Sequence, residues 1–231
     1  MDNVAVYHLI EGARRAKGLT VIIDVFRAFS LECYLYAMGA KSVRPVKTVE
    51  DAFRLRDMLS HSLIAGERGG HRCEGFDFGN SPSQLKAEMI NGKDVIHTTS
   101  AGTQGIANAV DADEIVTGSL VNAPAVAAYI KRRHPAAVSL VCMGKGGKEP
   151  AKEDELCAEY IKSLLDGHPM PDIRERAADL RYDGGSHFFD AENQDDFPMA
   201  DFDLCTDYGR FDFVLRVRRG EIGYITEKID M

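Results

Sequence analysis

The sequence predicts an α/β protein with three layers, α/β/α, built on a mostly parallel, mixed sheet with a C-terminal antiparallel hairpin. Short apolar segments rich in β-branched residues alternate with amphipathic helical segments, which is the pattern of βαβ crossover units. The strand segments are apolar almost throughout, as expected where helices cover both faces of a sheet. No repeat or linker divides the 231 residues, so we expect residues 1–231 to form a single domain.

The first half of the chain contains strands and helices in alternation. Residues 19–25 (LTVIIDV) form a near-continuous apolar run, which predicts a strand buried on both faces. Residues 29–38 predict a helix that ends at Gly39, and Thr48 is the predicted N-cap of a helix that continues to Leu59. Further strands are predicted over 42–46 and 63–66.

The second half continues this alternation and then changes. Pro82 favours a helix start, because proline suits the first helical position. Segments 211–217 and 223–227 flank Arg219 and Gly220 and predict an antiparallel hairpin at the sheet edge. The remaining strands are predicted over 94–99, 114–118 and 137–143, and the remaining helices over 104–110, 122–133 and 153–165.

Composition is that of an ordinary globular protein, with 45% hydrophobic and 28% charged residues. No apolar run approaches the ~20 residues that cross a bilayer, and the N-terminal residues lack the features of a signal peptide. We therefore expect a cytoplasmic protein that does not bind membranes. The five cysteines include no CxxC pair, so we expect reduced thiols.

The formal net charge of −8 comes from one segment, residues 183–207. This segment holds eight acidic residues and no Lys or Arg, which leaves 28 acids and 28 bases in the rest of the chain. No nucleic-acid partner is expected, since such a surface needs a basic patch. The segment favours a solvated surface loop, with metal binding or an interface contact as alternatives. The oligomeric state stays open, and a homo-oligomer is one option.

The most unusual stretch is 66–82, GERGGHRCEGFDFGNSP. Its five glycines exclude a stable helix interior, and it lacks the apolar alternation of a strand. Phe76 and Phe78 give the stretch apolar side chains to bury. We therefore expect an ordered active-site loop rather than a disordered one.

Polar and charged residues follow the predicted strands at the edge where ligands bind in open parallel sheets. Each has a plain structural alternative, namely a helix cap, a polar turn or a solvated charge, but together they converge on one edge. After the first and third strands they are Asp24, Arg27, Glu67 and Arg68; after the later strands they are Thr98, Thr99, Gly102, Thr103, Lys145, Lys148, Glu153 and Asp154.

These residue types suit a phosphorylated substrate. Carboxylates are hard oxygen ligands of the kind that Mg²⁺ prefers, and here they are Asp24, Glu67 and Asp154. Segment 98–105 (TTSAGTQG) offers hydroxyls and free N–H groups at a helix N-terminus, where anions bind. The cations that can neutralise phosphate oxygens are Arg27, Arg68 and Lys145.

Five blocks of the sequence, in order, resemble the 2-phosphosulfolactate phosphatase family. They are VIIDVFRA, GERGG…EGFDFGNSP, HTTSAGTQG, EDELCA and FDFVLRV, and they extend from residue 21 to about residue 217. The central block is long and specific, whereas the shorter blocks are weak alone. The resemblance implies a three-layer α/β fold and a Mg²⁺-dependent hydrolase that cleaves phosphate from 2-phospho-3-sulfolactate on the route to coenzyme M.

Residue chemistry and this resemblance together assign the candidate site. Glu74 and Asp77 also match the central block, and Glu153 precedes Asp154 as in the family's E-D pair. Catalytic roles are predicted for Asp24, Arg27, Glu67 and Arg68, and Mg²⁺ coordination for Asp24, Glu67 and Asp154. Substrate binding is predicted for Asn80, Ser81, Thr98, Thr99, Gly102, Thr103 and Lys145.

The chain departs from the family pattern in two loops expected to contact substrate. Phe29 and Ser30 stand where the family often has threonines, and Ala101 stands where it often has an asparagine. The leading hypothesis is a Mg²⁺-dependent phosphatase for a small anionic phosphoester. The alternatives are a non-catalytic small-anion binding protein on the same fold and a phosphatase for a different phosphorylated hydroxy acid. Which carboxylate acts as base, nucleophile or metal ligand stays open.

Overall fold

The computed structural model describes residues 3–231, and a ten-stranded mixed sheet lies at its centre. The strands pair in the spatial order β1-β8-β2-β7-β9-β10-β3-β6-β4-β5. They are β1 (Val4–His8), β2 (Gly18–Ile23), β3 (Ser42–Pro45), β4 (Leu63–Arg68), β5 (His71–Arg72), β6 (Asp94–Thr98), β7 (Ala112–Gly118), β8 (Val138–Cys142), β9 (Phe213–Arg219) and β10 (Tyr224–Asp230).

Helices alternate with these strands over most of the chain. Within residues 3–231, no helix is long and apolar enough to cross a membrane. The helices are α1 (Leu9–Arg15), α2 (Ala28–Ala37), α3 (Val49–Met58), α4 (Ala87–Ile90), α5 (Gly102–Asn108), α6 (Ala123–Arg133), α7 (Lys152–Leu165), α8 (Ile173–Asp179) and α9 (Met199–Thr206).

The sheet consists of two parallel blocks joined by an antiparallel hairpin. The first block is β1, β8, β2 and β7, and the second block is β3, β6 and β4. The hairpin β9–β10 is confirmed, but its predicted place at the sheet edge is wrong, because β9 pairs with β7 and β10 pairs with β3. All of these hairpin pairings are antiparallel, so the two parallel blocks run in opposite directions.

Helices cover both faces of each block, which confirms the three layers. In β2, Val21 and Ile23 pack against α6 and α7, whereas Ile22 packs against α1 and α5 on the other face. In β6, Val95 packs against α2 and Ile96 packs against α3. These strands are apolar on both sides because neither side faces water.

Several predicted boundaries are correct to within a few residues, and the N-cap at Thr48 is confirmed by a 3.0 Å hydrogen bond from Asp51 N–H. The helix predicted from Pro82 is wrong. Only a 3₁₀ turn forms over Pro82–Gln84, because Leu85 is extended and buried and interrupts the chain before α4. The sequence prediction also missed β1, α1, β5, α8 and α9.

Residues 183–207 do not form a solvated loop, so that prediction is wrong. The segment folds into two 3₁₀ turns, Ser186–Phe189 and Ala191–Asn193, followed by α9. Phe188 and Phe202 anchor it in the apolar cluster of the first block. Asp201 is fully buried despite its charge. We call residues 183–207 the acidic segment below.

The cysteines are free thiols, as predicted. Burial raises the pKa of the buried thiols, so they stay protonated and behave as small apolar residues. The buried cysteines are Cys33, Cys142, Cys157 and Cys205, and Cys73 is half-buried.

Candidate active site

The carboxyl ends of strands from both blocks meet at one place. The N–H of Gly102, just after β6, donates to Asp24 Oδ2, just after β2, over 2.8 Å. Neighbouring strands in a sheet are rotated by about 20–25°, and five such steps separate β2 from β6. The accumulated rotation, roughly 100–125°, turns the ends of the two opposed blocks toward each other.

Asp24 lies at the centre of this meeting point and is only 6% exposed. Its Oδ1 accepts from Ala28 N–H at 3.3 Å and its Oδ2 accepts from Gly102 N–H. These donors are the first residues of α2 and α5. A Cβ on Gly102 would lie 2.9 Å from Asp24 Oδ2, so glycine allows the close approach. The carboxylate is therefore fixed in orientation by backbone groups.

Two further carboxylates come from the start of α7. Asp154 accepts from Val25 N–H with Oδ1 and from Gly144 N–H with Oδ2, each over 2.8 Å, so it joins the loops after β2 and β8. Glu153 is 7% exposed, and its Oε2 is buried without a hydrogen-bond partner among the described residues. A buried acceptor without a partner is unfavourable unless something else binds it.

Glu67 ties the loop after β4 to the loop after β6. Its Oε1 accepts from Ser100 N–H at 2.6 Å, and its Oε2 accepts from Gly70 N–H at 2.7 Å and from Ser100 Oγ at 3.1 Å. Phe76 and Phe78 are buried, as predicted, and hold the rest of the 66–82 loop against the protein. The loop is ordered and contains the short hairpin of β4 and β5.

Asp24, Glu67, Glu153 and Asp154 form what we call the carboxylate cluster. Burial and the negative charge of Glu67 raise the pKa of Asp24 to about 6. Burial, with the charge of Asp24, raises the pKa of Glu153 to about 7 and that of Asp154 well above its usual value. Like charges held together in a dry site attract a cation. The cluster therefore favours a positively charged ligand.

Mg²⁺ fits the donor set of this cluster. Among residues 3–231, no three His, Cys, Asp or Glu side chains converge into a complete metal cage. Magnesium rarely uses such a cage, because it keeps several waters and binds one or two carboxylates together with substrate phosphate oxygens. Such an ion would relieve the mutual repulsion of the buried carboxylates in the cluster.

Arg27 lies beside the cluster, after a cis Phe26–Arg27 peptide bond, and is 4% exposed. Its Nη1 donates to Asp201 Oδ2 at 2.8 Å and to the carbonyl of Asp196 at 2.7 Å, and its Nη2 donates to the carbonyl of Gly70 at 3.3 Å. The guanidinium also stacks over the Phe197 ring, 4.7 Å from its centroid. Of its five N–H donors, two make no hydrogen bond to residues 3–231.

Arg68, for which a catalytic role is predicted, makes several hydrogen bonds to neighbouring protein groups. Its Nη1 donates to the carbonyl of Glu67 at 2.6 Å, and its Nη2 donates to Thr98 Oγ1 at 2.9 Å and to the carbonyl of Lys47 at 3.3 Å. Two of its five N–H donors make no hydrogen bond within the described part of the chain. Its charge therefore lies at the ends of β4 and β6.

The threonines after β6 mostly bond to one another. Thr99 N–H donates to Thr103 Oγ1 at 2.9 Å, and Thr103 N–H donates to Thr99 Oγ1 at 3.2 Å. This reciprocal pair joins the end of β6 to the first turn of α5 and shapes the turn between them. Ser81 Oγ likewise donates to Asp201 Oδ1 at 2.9 Å. These hydroxyls first hold the loops of the site in place.

Of the remaining predicted residues, two are exposed at the surface and one holds the 66–82 loop in place. Lys145 is exposed. Burial of His187, together with the positive charges of Arg27 and Lys145, lowers the pKa of His187 to about 4. Asp77 accepts from Ile64 N–H at 2.8 Å and pairs with Arg56, so it anchors the 66–82 loop. Glu74 is exposed on that loop and away from the contacts described above.

The acidic segment covers the site. Asp196 accepts from His71 at 2.7 Å, and Phe197 packs against Gly70, where a Cβ would overlap its ring at 2.3 Å. Gly184 lies against Glu153, where a Cβ would approach Oε2 to 2.8 Å. Cavities of about 300 Å³ and 280 Å³ lie between α7 and α8 and between α3 and the β9–β10 turn; the second is lined by Thr103, and neither is lined by Asp24, Glu67, Glu153 or Asp154. The acidic segment therefore lies directly over Gly70 and Glu153 at the candidate site.

Three site residues were missed by sequence reasoning: Glu32, His97 and Asp201. His97 forms a hydrogen bond with each ring nitrogen. Nδ1 lies 2.8 Å from Glu32 Oε1, and Nε2 lies 3.1 Å from Asn80 Oδ1. A histidine inside the apolar strand DVIHT was a signal that could have drawn attention to this position. Asp201 gave no such signal, because it lies in a run of similar acidic residues.

The two departures from the family pattern pack together beneath the site. Phe29 and Ala101 belong to one buried apolar cluster, and the Phe29 ring lies 3.0 Å from where a Cβ on Gly102 would stand. Ser30 Oγ donates to the carbonyl of Val25 at 2.8 Å, so it stabilises the loop after β2. The residues that depart from the family pattern therefore contact the protein interior.

Comparisons with known proteins agree on one family. A family model described as 2-phosphosulpholactate phosphatase matches residues 5–185. A Bacillus subtilis (strain 168) protein named probable 2-phosphosulfolactate phosphatase is 29% identical over 232 residues, covering 98% of this chain and 99% of its own length.

Two further relatives of the same name show the same likeness. The protein from Clostridium perfringens (strain SM101 / Type A) is 32% identical over 218 residues, which is 88% of this chain and 87% of its own length. The protein from Caldanaerobacter subterraneus subsp. tengcongensis is 40% identical over 172 residues, which is 72% of this chain and 70% of its own length. Since the family model covers most of the chain and the whole carboxylate cluster, this protein belongs to the 2-phosphosulfolactate phosphatase family, a family of phosphoric monoester hydrolases.

Proposed function

We propose that this protein is a Mg²⁺-dependent phosphatase that hydrolyses 2-phospho-3-sulfolactate to 3-sulfolactate and phosphate. The observation that carries the proposal is the carboxylate cluster beside Arg27, where strands from both blocks end. The relatives' name supplies the substrate. By family resemblance, the product would enter the route to coenzyme M.

Asp24, Glu67 and Asp154 would hold the Mg²⁺, directly or through bound water. Backbone N–H groups already orient all three carboxylates, and ordered second partners of this kind fix metal ligands. When bound, the ion supplies charge neutralisation at the phosphate oxygens and lowers the pKa of a coordinated water.

The arginines recognise the phosphoryl group. Asp201 and Asp196 fix one side of the Arg27 guanidinium, so its two unused N–H donors are held in place for phosphate oxygens. Arg68 adds a second positive charge at the ends of β4 and β6. Donors that are fixed before the reaction stabilise the charge that develops on the transferring group.

Glu153 is the proposed general base. Its buried Oε2 has no partner among residues 3–231, so it is available to accept a proton. The oxygen of a water attacks phosphorus, and one water proton passes to Glu153 Oε2. The P–O ester bond breaks, and its electron pair leaves with the lactate oxygen, which takes up a proton from solvent; Glu153 then releases its proton to solvent.

The rest of the substrate carries further negative charge. Lys145 is exposed beside His187, and its ammonium bonds to no residue in 3–231, so it is free to bind a second anionic group. Asn80 and the Ser81 and Thr98–Thr103 loops complete the substrate site. Their hydroxyls and amides lie around the ends of β4 and β6.

A phosphate-release screen over small phosphorylated and sulfonated acids, with Mg²⁺ and with EDTA, tests this function. Release from 2-phospho-3-sulfolactate in Mg²⁺ and none in EDTA is expected. Faster release from another phosphorylated hydroxy acid would reassign the substrate. No release from any compound would leave a non-catalytic anion-binding protein.

A further inference from the structure

Glu32, His97 and Asn80 form a chain of hydrogen bonds inside the protein. Glu32 and His97 are fully buried and Asn80 is 5% exposed. His97 Nδ1 lies 2.8 Å from Glu32 Oε1, and Nε2 lies 3.1 Å from Asn80 Oδ1. The chain links α2, β6 and the end of the 66–82 loop.

Both ring nitrogens of His97 face oxygen acceptors. An imidazole can donate from both nitrogens only when both carry a proton. Donation from both nitrogens would make His97 a cation paired with the Glu32 carboxylate and would hold Asn80 by its oxygen. A neutral His97 would instead accept from the Asn80 amide, which reverses that amide.

The side-chain NH₂ group of Asn80 is not used in this chain of hydrogen bonds. Its Nδ2 makes no hydrogen bond to residues 3–231 and is not among the fully buried atoms that lack a partner, so it reaches accessible volume. Asn80 is followed directly by Ser81, whose Oγ donates to Asp201, the partner of Arg27 at the site. His97 also precedes Thr98, which accepts from Arg68.

A buried ion pair is a poor device for stability, because desolvation offsets most of the attraction between its charges. Glu32 Oε2 even lacks a partner among the described residues. The pair instead determines which atom of Asn80 faces the site. We propose that Glu32 and His97 are positioning residues that hold Asn80 with its NH₂ group toward the phosphate of the bound substrate.

The inference rests on the proposed phosphatase function for the identity of the ligand, and its test is kept separate from turnover. Inorganic phosphate is the probe, and its affinity is measured by calorimetry for the wild type, Glu32→Gln, Asn80→Ala and the double variant. Glu32→Gln keeps the side-chain shape and removes the charge. Cys33→Ala, at the next buried position of α2, controls for packing loss near Glu32.

Glu32→Gln should weaken phosphate binding about ten- to hundredfold, the effect of losing a hydrogen bond to a charged group. In the Asn80→Ala background, the same substitution should not weaken phosphate binding any further, because Glu32 acts only through Asn80. Cys33→Ala should bind phosphate as the wild type does. In ¹⁵N NMR spectra, His97 should carry protons on both nitrogens in the wild type and on one in Glu32→Gln.

Equal weakening by Glu32→Gln in both backgrounds would overturn the inference, and so would a singly protonated His97 in the wild type. A wild type that binds no phosphate would overturn it as well. A wild type that binds phosphate, shows the expected cycle and releases no phosphate from any ester would contradict the proposed function alone.

Discussion

The guanidinium of Arg27 donates hydrogen bonds through both Nη1 and Nη2. Asp201 and the Asp196 carbonyl accept from Nη1 and the Gly70 carbonyl accepts from Nη2, while the other two N–H donors make no hydrogen bond to residues 3–231. Asp201 is fully buried and also accepts from Ser81 Oγ and Ser83 N–H, each over 2.9 Å. The acidic segment thus contributes to the site through a residue that does not touch the cluster.

Asp201→Asn tests this contact. The amide keeps the shape but leaves the buried guanidinium without its counter-charge, and breaking such a pair costs about 3 kcal/mol or more. Urea unfolding should show that loss, and kcat/KM for phosphate release should fall with it. Asp203→Asn, on the exposed side of the same helix, should change neither quantity. Equal effects of both substitutions would contradict a specific role for Asp201.

Site residues next to strand ends could be predicted from the sequence, and their partners could not. Asp24 and Glu67 follow apolar runs, and chain order alone places them at a carboxyl edge. Glu32 lies 65 residues from His97, and Asp201 lies 174 residues from Arg27. Such pairs depend on how the elements pack, which no local pattern encodes.

At the scale of elements, the 66–82 loop depends on close backbone approach. Gly66 has φ +145°, and a Cβ there would lie 2.0 Å from the carbonyl oxygen of Thr98. Ala65 and Gly66 pair with His97 and Thr98 in the parallel ladder between β4 and β6. The glycine therefore lets β4 carry Glu67 directly to the site.

Gly66→Ala should destabilise the protein by roughly 4 kcal/mol, since it adds steric overlap with backbone to a strained φ. Gly69→Ala is the matched control, because Gly69 also has positive φ, +62°, but a Cβ added there would meet nothing within 4 Å. The control should cost about 1 kcal/mol. Thermal unfolding of both variants measures the difference, and equal losses would contradict the close-approach argument.

At the scale of the whole molecule, two opposed parallel blocks enclose a cluster of negative charge. Strands and crossover helices were predictable from β-branched apolar runs and helical periodicity. The direction of the second block was not, because it depends on the β9–β10 hairpin inserting between β7 and β3. β1 was missed because it is only partly buried and lacks the continuous apolar run of the inner strands.

The cluster should make stability depend on pH when no divalent cation is present. The pKa of Glu153 is about 7 in the folded protein against an ordinary value of 4.5. Because the pKa of Glu153 is higher in the folded than in the unfolded protein, its contribution to the free energy of unfolding is fully present below pH 4.5. This contribution is lost as the pH rises through about 7, where the buried carboxyl becomes charged. In EDTA, Glu153→Gln should therefore be more stable than the wild type at pH 8, by up to about 3 kcal/mol.

This advantage should shrink as pH falls from 8 toward 5, where the wild-type carboxyl becomes neutral in the folded state. Glu155→Gln, two residues further along α7 and partly exposed, should show no such pH-dependent gap. Saturating Mg²⁺ should remove the advantage at pH 8. A gap that stays constant with pH in EDTA would contradict the assignment of a buried, repelled carboxyl to Glu153.

The rate of phosphate release from 2-phospho-3-sulfolactate, measured against Mg²⁺ concentration for the wild type and Asp24→Asn, shows whether the carboxylate cluster carries a magnesium-dependent reaction. The wild type should show saturable dependence on Mg²⁺ and no release in EDTA. Asp24→Asn should lower kcat by orders of magnitude while its circular dichroism and cooperative unfolding stay those of a folded protein. Near-normal release by Asp24→Asn, or full release by the wild type in EDTA, would contradict a magnesium-dependent reaction at the carboxylate cluster.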